Sequence, residues 1–423
     1  MKEKIICGID IGSSKIATII GINSPDEEEI KIVGFNSSLS KGVKKGLIID
    51  IDEVITAVEE SVEKAERMAG HKVNSAFVSV GGPHISSLNS HGIVAVASPE
   101  NEIVDEDVKR VIEAARAISL STTREIIEVT PRDYIVDGQA GIKNPIGMSG
   151  VRLEVNTHII TASSTNLKNI NRVLNDLGIA NAGFIFSGLA SSTAVLTETE
   201  KELGVVLVDI GGGKIDLCIF ADGALSYSSS IPVGARHITN DIAVGLRVSL
   251  DSAEKIKLYL SKNLNIGEGI KKRSSQLDLN ALQLSENINS EISLKTLVDE
   301  IITPRMEEIF KLIFEEIEKS GLGETIPSGL VITGGGALTS GIVQMGKKII
   351  GLPIRIGKPE GVTGLIDEII NPSFASTVGL ILYGKKYKMG EKDDFKNFNQ
   401  ILKDFSLKNS VSKIKDFFKQ FIP

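Results

Sequence analysis

Gly204-Val205-Val206-Leu207-Val208-Asp209-Ile210-Gly211-Gly212-Gly213-Lys214-Ile215 reads as a strand that runs into a tight, glycine-lined turn. The short, mostly β-branched apolar run suits a strand buried on both faces, and the glycines let backbone N–H groups approach an anion with no side chain in the way. The pattern occurs twice. After the apolar run Ile5-Ile6-Cys7-Gly8-Ile9 stands Asp10-Ile11-Gly12-Ser13-Ser14-Lys15-Ile16, so both copies read Asp-Ile-Gly-x-x-Lys-Ile, 199 residues apart. Two such loops, facing each other, are expected to clamp one polyphosphate. Asp10 and Asp209 are the candidate holders of Mg²⁺, through water because that ion dehydrates reluctantly, and Lys15 is expected to neutralise phosphate charge.

A third glycine loop ends another apolar run, Gly329-Leu330-Val331-Ile332-Thr333-Gly334-Gly335-Gly336-Ala337-Leu338. Here a helix is expected to follow, its N-terminus opened by Gly334, Gly335, Gly336 and Ala337 to receive a base and its sugar. Outward from these loops, residues 14–22 and 30–35 read as strands, and 50–70 as an amphipathic helix stopped by Gly70. Residues 76–80 form a strand that ends at Gly81-Gly82-Pro83, punctuation strong enough to mark a domain edge. From His84 to about Thr157, short strands around a helix at 105–118 predict a small inserted α+β domain. A buried strand at 159–162, helices at 166–177 and 187–196, a hairpin turning at Asp222-Gly223 and helical stretches at 237–260 follow, the last entered through Pro232-Val233-Gly234. A polar interval, 261–290, precedes a long helix at 303–319.

Composition narrows the function. The chain has 423 residues, 42% hydrophobic and 24% charged, with a net charge of −7 and no Trp. These values exclude nucleic acid as a main partner. Cys7 and Cys218 both fall in predicted buried strands, which fits a reducing cytoplasm, and no run resembles a signal peptide or a spanning helix. The five histidines show no ligand spacing. Gly341-Ile342-Val343-Gln344-Met345-Gly346-Lys347-Lys348 imitates a P-loop, but it lacks the Ser/Thr for Mg²⁺ and no strand precedes it, so it carries no phosphate site. At the other end, Val411, Ile414, Phe417, Phe418, Phe421 and Ile422 share an arc of roughly 140° on a helical count, with Lys413 and Lys415 at its edges. That is the pattern of an interfacial helix on an anionic phospholipid membrane.

The duplicated loop resembles the superfamily of actin, heat-shock chaperones and sugar kinases, and within it the chain resembles the FtsA family of bacterial cell division proteins. Gly8 to Lys15, Val80-Gly81-Gly82-Pro83-His84-Ile85, Arg124-Glu125-Ile126-Ile127, Asn144 to Glu154, Leu189-Ala190-Ser191-Ser192 and Val331 to Gly336 carry the likeness. The resemblance implies an α/β, actin-like duplicated ATPase fold: two domains, each on a five-stranded sheet, with a nucleotide cleft between them. Subdomain 1A would comprise 1–81, 159–195 and 373–388, the inserted subdomain 1C 82–158, subdomain 2A 196–232 and 325–372, and subdomain 2B 233–324. A linker at 389–408 and the membrane helix at 409–423 would complete the chain.

For the site, the resemblance implies ATP and Mg²⁺ bound by Asp10, Gly12, Ser13, Ser14, Lys15, Asp209, Gly211, Gly212, Gly213, Lys214, Gly234 and the third glycine loop. Glu254 and Lys257, one turn apart, match the chaperone helix that meets adenosine. Family members usually carry two threonines where this chain has Lys214-Ile215, which implies at most a slow ATPase. The implied partners are the C-terminal peptide of the filament protein FtsZ, met by Arg305, further copies of the chain, later division proteins and the membrane. The implied location is the cytoplasmic side of the cell membrane at the division septum. A pilus-assembly scaffold resembling FtsA and a kinase of the superfamily are the alternatives; the kinase needs a carboxylate base that spacing does not single out.

Overall fold

Each Asp-Ile-Gly stretch forms the tip of an antiparallel hairpin, and the two hairpins share one register. Lys4–Ile11 pairs with Lys15–Asn23 so that Ile11 faces Ile16, and Val205–Ile210 pairs with Ile215–Ala221 so that Ile210 faces Ile215. The computed structural model describes residues 3–98, 100–263, 282 and 294–386. The chain divides into two units, 1–382 and 383–423; of the second, the described part is the last turn of the helix Ala375–Lys386.

The first hairpin continues into Ile30–Leu39 and is flanked on its other side by the parallel strands Ser75–Val80 and Ala180–Phe186. The second repeats the plan: Ala224–Ile231 follows the hairpin, with Leu330–Thr333 and Ile354–Ile356 parallel on the far side. Duplication therefore extends from the loops to whole sheets. The second sheet has the five strands expected. The first has six, because Val362–Gly364 adds in parallel to the edge strand Ile30–Leu39. Three residues ending in glycine carry no strand periodicity, so this edge was not legible.

Burial follows the pattern of central strands. Every residue of Val205–Ile210 is buried, and a fully buried Val, Leu or Ile contributes about 1.5–3 kcal/mol. Helix Ile51–Ala69 forms where its periodicity predicts. Asp50 caps it by accepting from the Glu53 N–H at 3.1 Å, and Gly70, at φ 69°, ends it in the left-handed conformation. Its buried face, Val54, Val58, Val62 and Ala65, packs on the first sheet.

The insertion is a separate layer, a four-stranded sheet ordered Ser86–Ala95, Arg152–Ser163, Arg124–Val136, Gln139–Ile142. Helix Asp105–Arg116 closes a small core of Ile103, Val111, Ala115, Leu153 and Val155. The strand Arg152–Ser163 runs unbroken across the expected 158/159 boundary, pairing within this sheet over its whole length. Beyond the second hairpin, helices Arg236–Leu246, Leu250–Asn263 and Thr303–Ser320 cover the second sheet. Among the described residues no helix is long and apolar enough to cross a membrane. The polar interval at 261–290, apart from 261–263 and 282, and the whole of 387–423, including Val411, Ile414, Phe417, Phe418, Phe421 and Ile422, lie outside the described residues.

Candidate nucleotide site

The two hairpin tips are built alike. The Gly12 N–H donates to the Lys15 carbonyl at 3.1 Å and the Gly211 N–H to the Lys214 carbonyl at 2.9 Å. Their strands bring them tip to tip. A Cβ on Gly212 would run into the Ser14 side chain, and one on Gly213 would meet Ser13 Cβ at 2.8 Å, so glycine is what this approach requires. Lys45 and Gly46 close one side, where the Gly46 N–H donates to Ser13 Oγ at 3.0 Å. On the other, the start of helix Arg236–Leu246 rests on the second loop. Ala235 and Arg236 N–H donate to the Gly211 and Gly212 carbonyls at 2.9 and 2.8 Å, Arg236 Nη1 reaches the Ser13 carbonyl at 3.3 Å, and a Cβ on Gly234 would lie 2.5 Å from the Gly211 carbonyl.

Both carboxylates stand behind these loops, each held by a serine. Ser79 donates to Asp10 Oδ1, with Ser376 at 3.4 Å, and Ser191 donates to Asp209 Oδ2. Asp209 is buried, and burial, followed by the charge of Asp216, pushes its carboxyl up to about 7. A cation between the loops would relieve that cost, so this donor set fits Mg²⁺ held by two carboxylates and water. Among the described residues no group of three or more His, Cys, Asp or Glu forms an all-protein metal cage.

The third loop joins the same place. Gly334, at φ 81°, packs against Asp209 Oδ1 closely enough to exclude a Cβ, and its N–H donates to the Pro372 carbonyl at 3.1 Å. The following residues form a 3₁₀ turn, Gly335–Leu338, and an α-helix begins only at Ile342. The helix that opens at these glycines is therefore a single 3₁₀ turn with Gly334 as its N-cap, and Thr339, Ser340 and Gly341 separate it from the α-helix. The P-loop imitation falls in that later helix, where Lys348 pairs with Glu307 at 3.0 Å. Ser373, next to Pro372, accepts from Lys15 Nζ at 3.1 Å, and the ammonium lies 3.2 Å from the Phe374 ring centroid. Burial holds the Lys15 ammonium down at about 8.

Lys214 is turned into the protein. It donates to Ser187 Oγ at 2.6 Å and to Asp216, and although burial works against its charge, Asp216 keeps its pKa above the ordinary lysine value. Glu254 and Lys257 pair with each other at 2.7 Å and both meet Thr239, one turn into the helix that Arg236 opens against the loops. Arg305 stands apart. It pairs with Asp241 at 2.5 Å and with Glu308, beside a groove of about 370 Å³ that Val244, Ile301 and Pro304 also line.

Ser79, Ser187, Ser191 and Asp216 join the site without having been singled out individually. Ser187 and Ser191 are spaced i, i+4, so helix Ser187–Val195 presents both hydroxyls on one face. That spacing was the available signal, but nothing local says which carboxylates they meet.

Similarity to known proteins agrees with this geometry. Residues 82–161 match the family model for the SHS2 domain inserted in FtsA, and 206–379 match that for cell division protein FtsA. Cell division protein FtsA of Borreliella burgdorferi is 38% identical over 99% of both chains. That of Pseudomonas aeruginosa is 38% identical over 90% of this chain and 89% of its own. Among solved structures, the PilM-PilN type IV pilus biogenesis complex superposes with a TM-score of 0.60 at 14% identity, covering 90% of this chain and 98% of that one. MreB5 of Spiroplasma citri bound to ADP does so at 0.54 and 14%, covering 92% and 98%. These two likenesses establish the fold as an actin-like one, and the family match over 82–161 identifies its inserted domain.

Proposed function

Since this chain belongs to the FtsA family of cell division proteins, we propose that it is an ATP-binding scaffold that polymerises on the cytoplasmic face of the cell membrane at the septum and fastens FtsZ filaments there. One observation carries the nucleotide part: two loops of identical turn geometry meet tip to tip, each with a serine-held aspartate behind it. Asp10 and Asp209 would hold Mg²⁺, which supplies charge neutralisation between phosphates. The phosphates would be met by the backbone of the two loops, at Gly12, Ser13 and Ser14 on one side and Gly211, Gly212 and Gly213 on the other. Lys15 gives up Ser373 and Phe374 to reach it, and Gly334 to Ala337 with Glu254 and Lys257 take the nucleoside.

Nucleotide acts here as an interdomain clamp more than as fuel, and turnover stays below about 1 s⁻¹, the low end of ordinary enzymes. The FtsZ C-terminal peptide takes the groove beside Arg305, and the apolar residues of segment 409–423 take the membrane. Copies of the chain and later division proteins bind elsewhere on the filament. The test is a thermal shift. ATP·Mg²⁺ at 100 times its Kd adds about 2.7 kcal/mol to apparent stability, and Asp209→Ala or Gly335→Arg removes that gain. A gain undiminished in both variants would place the nucleotide elsewhere.

A further inference from the structure

The inserted domain leaves the first sheet at Gly81-Gly82, and that hinge is linked through Ser230 and Asp216 to the second phosphate loop. Gly82, at φ 126°, holds a backbone conformation that favours glycine, and its N–H donates to Ser230 Oγ at 3.0 Å. Ser230 in turn donates to Asp216 Oδ1 at 2.7 Å. The other oxygen of Asp216 accepts from Ser187 at 2.6 Å and from Lys214, the last residue of the loop Gly211–Lys214. Gly81 is wedged into the same cluster, where any Cβ would run into Lys214 Nζ and Ser187 Oγ. An unbroken polar chain thus joins loop to hinge.

Past the hinge, the insertion rests on the second sheet. Ser87 Oγ donates to the Ser228 carbonyl at 2.7 Å, and Asn89 Nδ2 approaches the Ser226 carbonyl at 3.4 Å. His158, buried, meets Asn89 Oδ1 at 2.7 Å through Nδ1 and Ser228 Oγ at 3.0 Å through Nε2. This seam follows Ala224–Ile231, the edge strand that carries Ser230. Burial, helped by the charge of Arg132, holds His158 down at about 3, so its imidazole stays neutral at physiological pH.

We propose that the insertion is the read-out arm of the second phosphate loop: Lys214 exchanges Asp216 for the terminal phosphate of a bound nucleoside triphosphate, and Asp216, through Ser230, passes that exchange to the Gly82 hinge and the seam. The inference rests on the nucleotide reading above. A buried ammonium needs a counter-charge, and a polyphosphate is a stronger one than a single carboxylate. Once Lys214 departs, Asp216 is a buried charge held by two hydroxyls alone, so Ser187 and Ser230 must reorient around it. Phosphate and hinge then bias one element, which is what coupling between two sites requires.

Hydrogen–deuterium exchange on the full chain, with ATP binding measured in parallel by calorimetry, tests this. Saturating ATP·Mg²⁺ should change exchange at residues 82–90 and 224–231 by tenfold or more. Ser230→Ala should still bind ATP by calorimetry, yet lose that response at saturating nucleotide, and Ser230→Thr should restore it. Reciprocity gives a second arm that leaves the loop untouched: Asn89→Ala, which loosens the seam, must change the Kd for ATP by threefold or more. The proposal is overturned if ATP binds without altering the seam, if Ser230→Ala keeps the full response, or if Asn89→Ala leaves the Kd unchanged. Failure of the wild-type chain to bind ATP would overturn the nucleotide reading and this inference with it.

Discussion

Asp209 shows how a single side chain sets the conditions under which the site works. Its carboxyl, raised from 3.8 to about 7 chiefly by burial, keeps its proton in the folded state at pH values where the unfolded chain has released it. Stability of the nucleotide-free protein therefore declines as pH rises from about 4 to 7, and above 7 the fold carries a buried charge. Asp209→Asn should raise the melting temperature of the free protein at pH 8, by about 1 °C for each kcal/mol recovered in a chain of 423 residues. That advantage should shrink at pH 5, where the folded group is neutral and only its release in the unfolded chain counts, and vanish below about pH 4, and ATP·Mg²⁺ should no longer stabilise the variant at any of these pH values. Melting curves at these pH values check this; a variant that is less stable than wild type at pH 8 would contradict it. The aspartates and glycines were legible in the sequence because a repeated motif is a local signal. Lys214 was only half legible. Its place in the repeat suggested phosphate, but its partner Asp216 lies on the buried face that only strand pairing with Ser230 defines.

At the scale of elements, the two hairpins and helix Ile51–Ala69 could be drawn from periodicity and capping residues. Less could be drawn of elements whose partners are remote in sequence. Helix Ser187–Val195 reads as an apolar helix until Asp209 and Asp216 supply the reason for its serines. Helix Thr303–Ser320 was placed correctly, yet its Arg305 looks free in sequence and is paired in the fold with Asp241, 64 residues earlier. That pairing decides how its role is tested. Arg305→Glu would set a third carboxylate beside Asp241 and Glu308, so the neutral Arg305→Gln is the cleaner change. It should weaken binding of an FtsZ C-terminal peptide by about tenfold, or 1.4 kcal/mol, while the thermal shift with ATP stays as in the wild type. Calorimetry with the peptide and a nucleotide melt decide it. Equal loss in both would mean that Arg305 supports the fold and nothing more.

For the whole molecule, duplication made the architecture readable: a motif found twice implied two sheets, and two sheets implied a site between their loops. The extra strand Val362–Gly364 and the seam of the insertion escaped because each depends on partners remote in sequence, Val362 on Ile30 and Ser87 on Ser228. The account joins three attachments in one chain, nucleotide between the loops, FtsZ peptide beside Arg305 and lipid at residues 409–423. Each large apolar side chain of that segment contributes at most about 1.5–3 kcal/mol if fully buried, so single molecules should bind membranes weakly and filaments firmly through effective concentration. The most direct measurement is co-sedimentation of fluorescent FtsZ filaments with anionic liposomes. With this protein and ATP·Mg²⁺, FtsZ should pellet with the liposomes; with a variant lacking residues 409–423, whose melting temperature is unchanged, it should remain with the unbound filaments. FtsZ that stays off the liposomes in the presence of the full chain, or that pellets equally with the truncated one, would contradict the account.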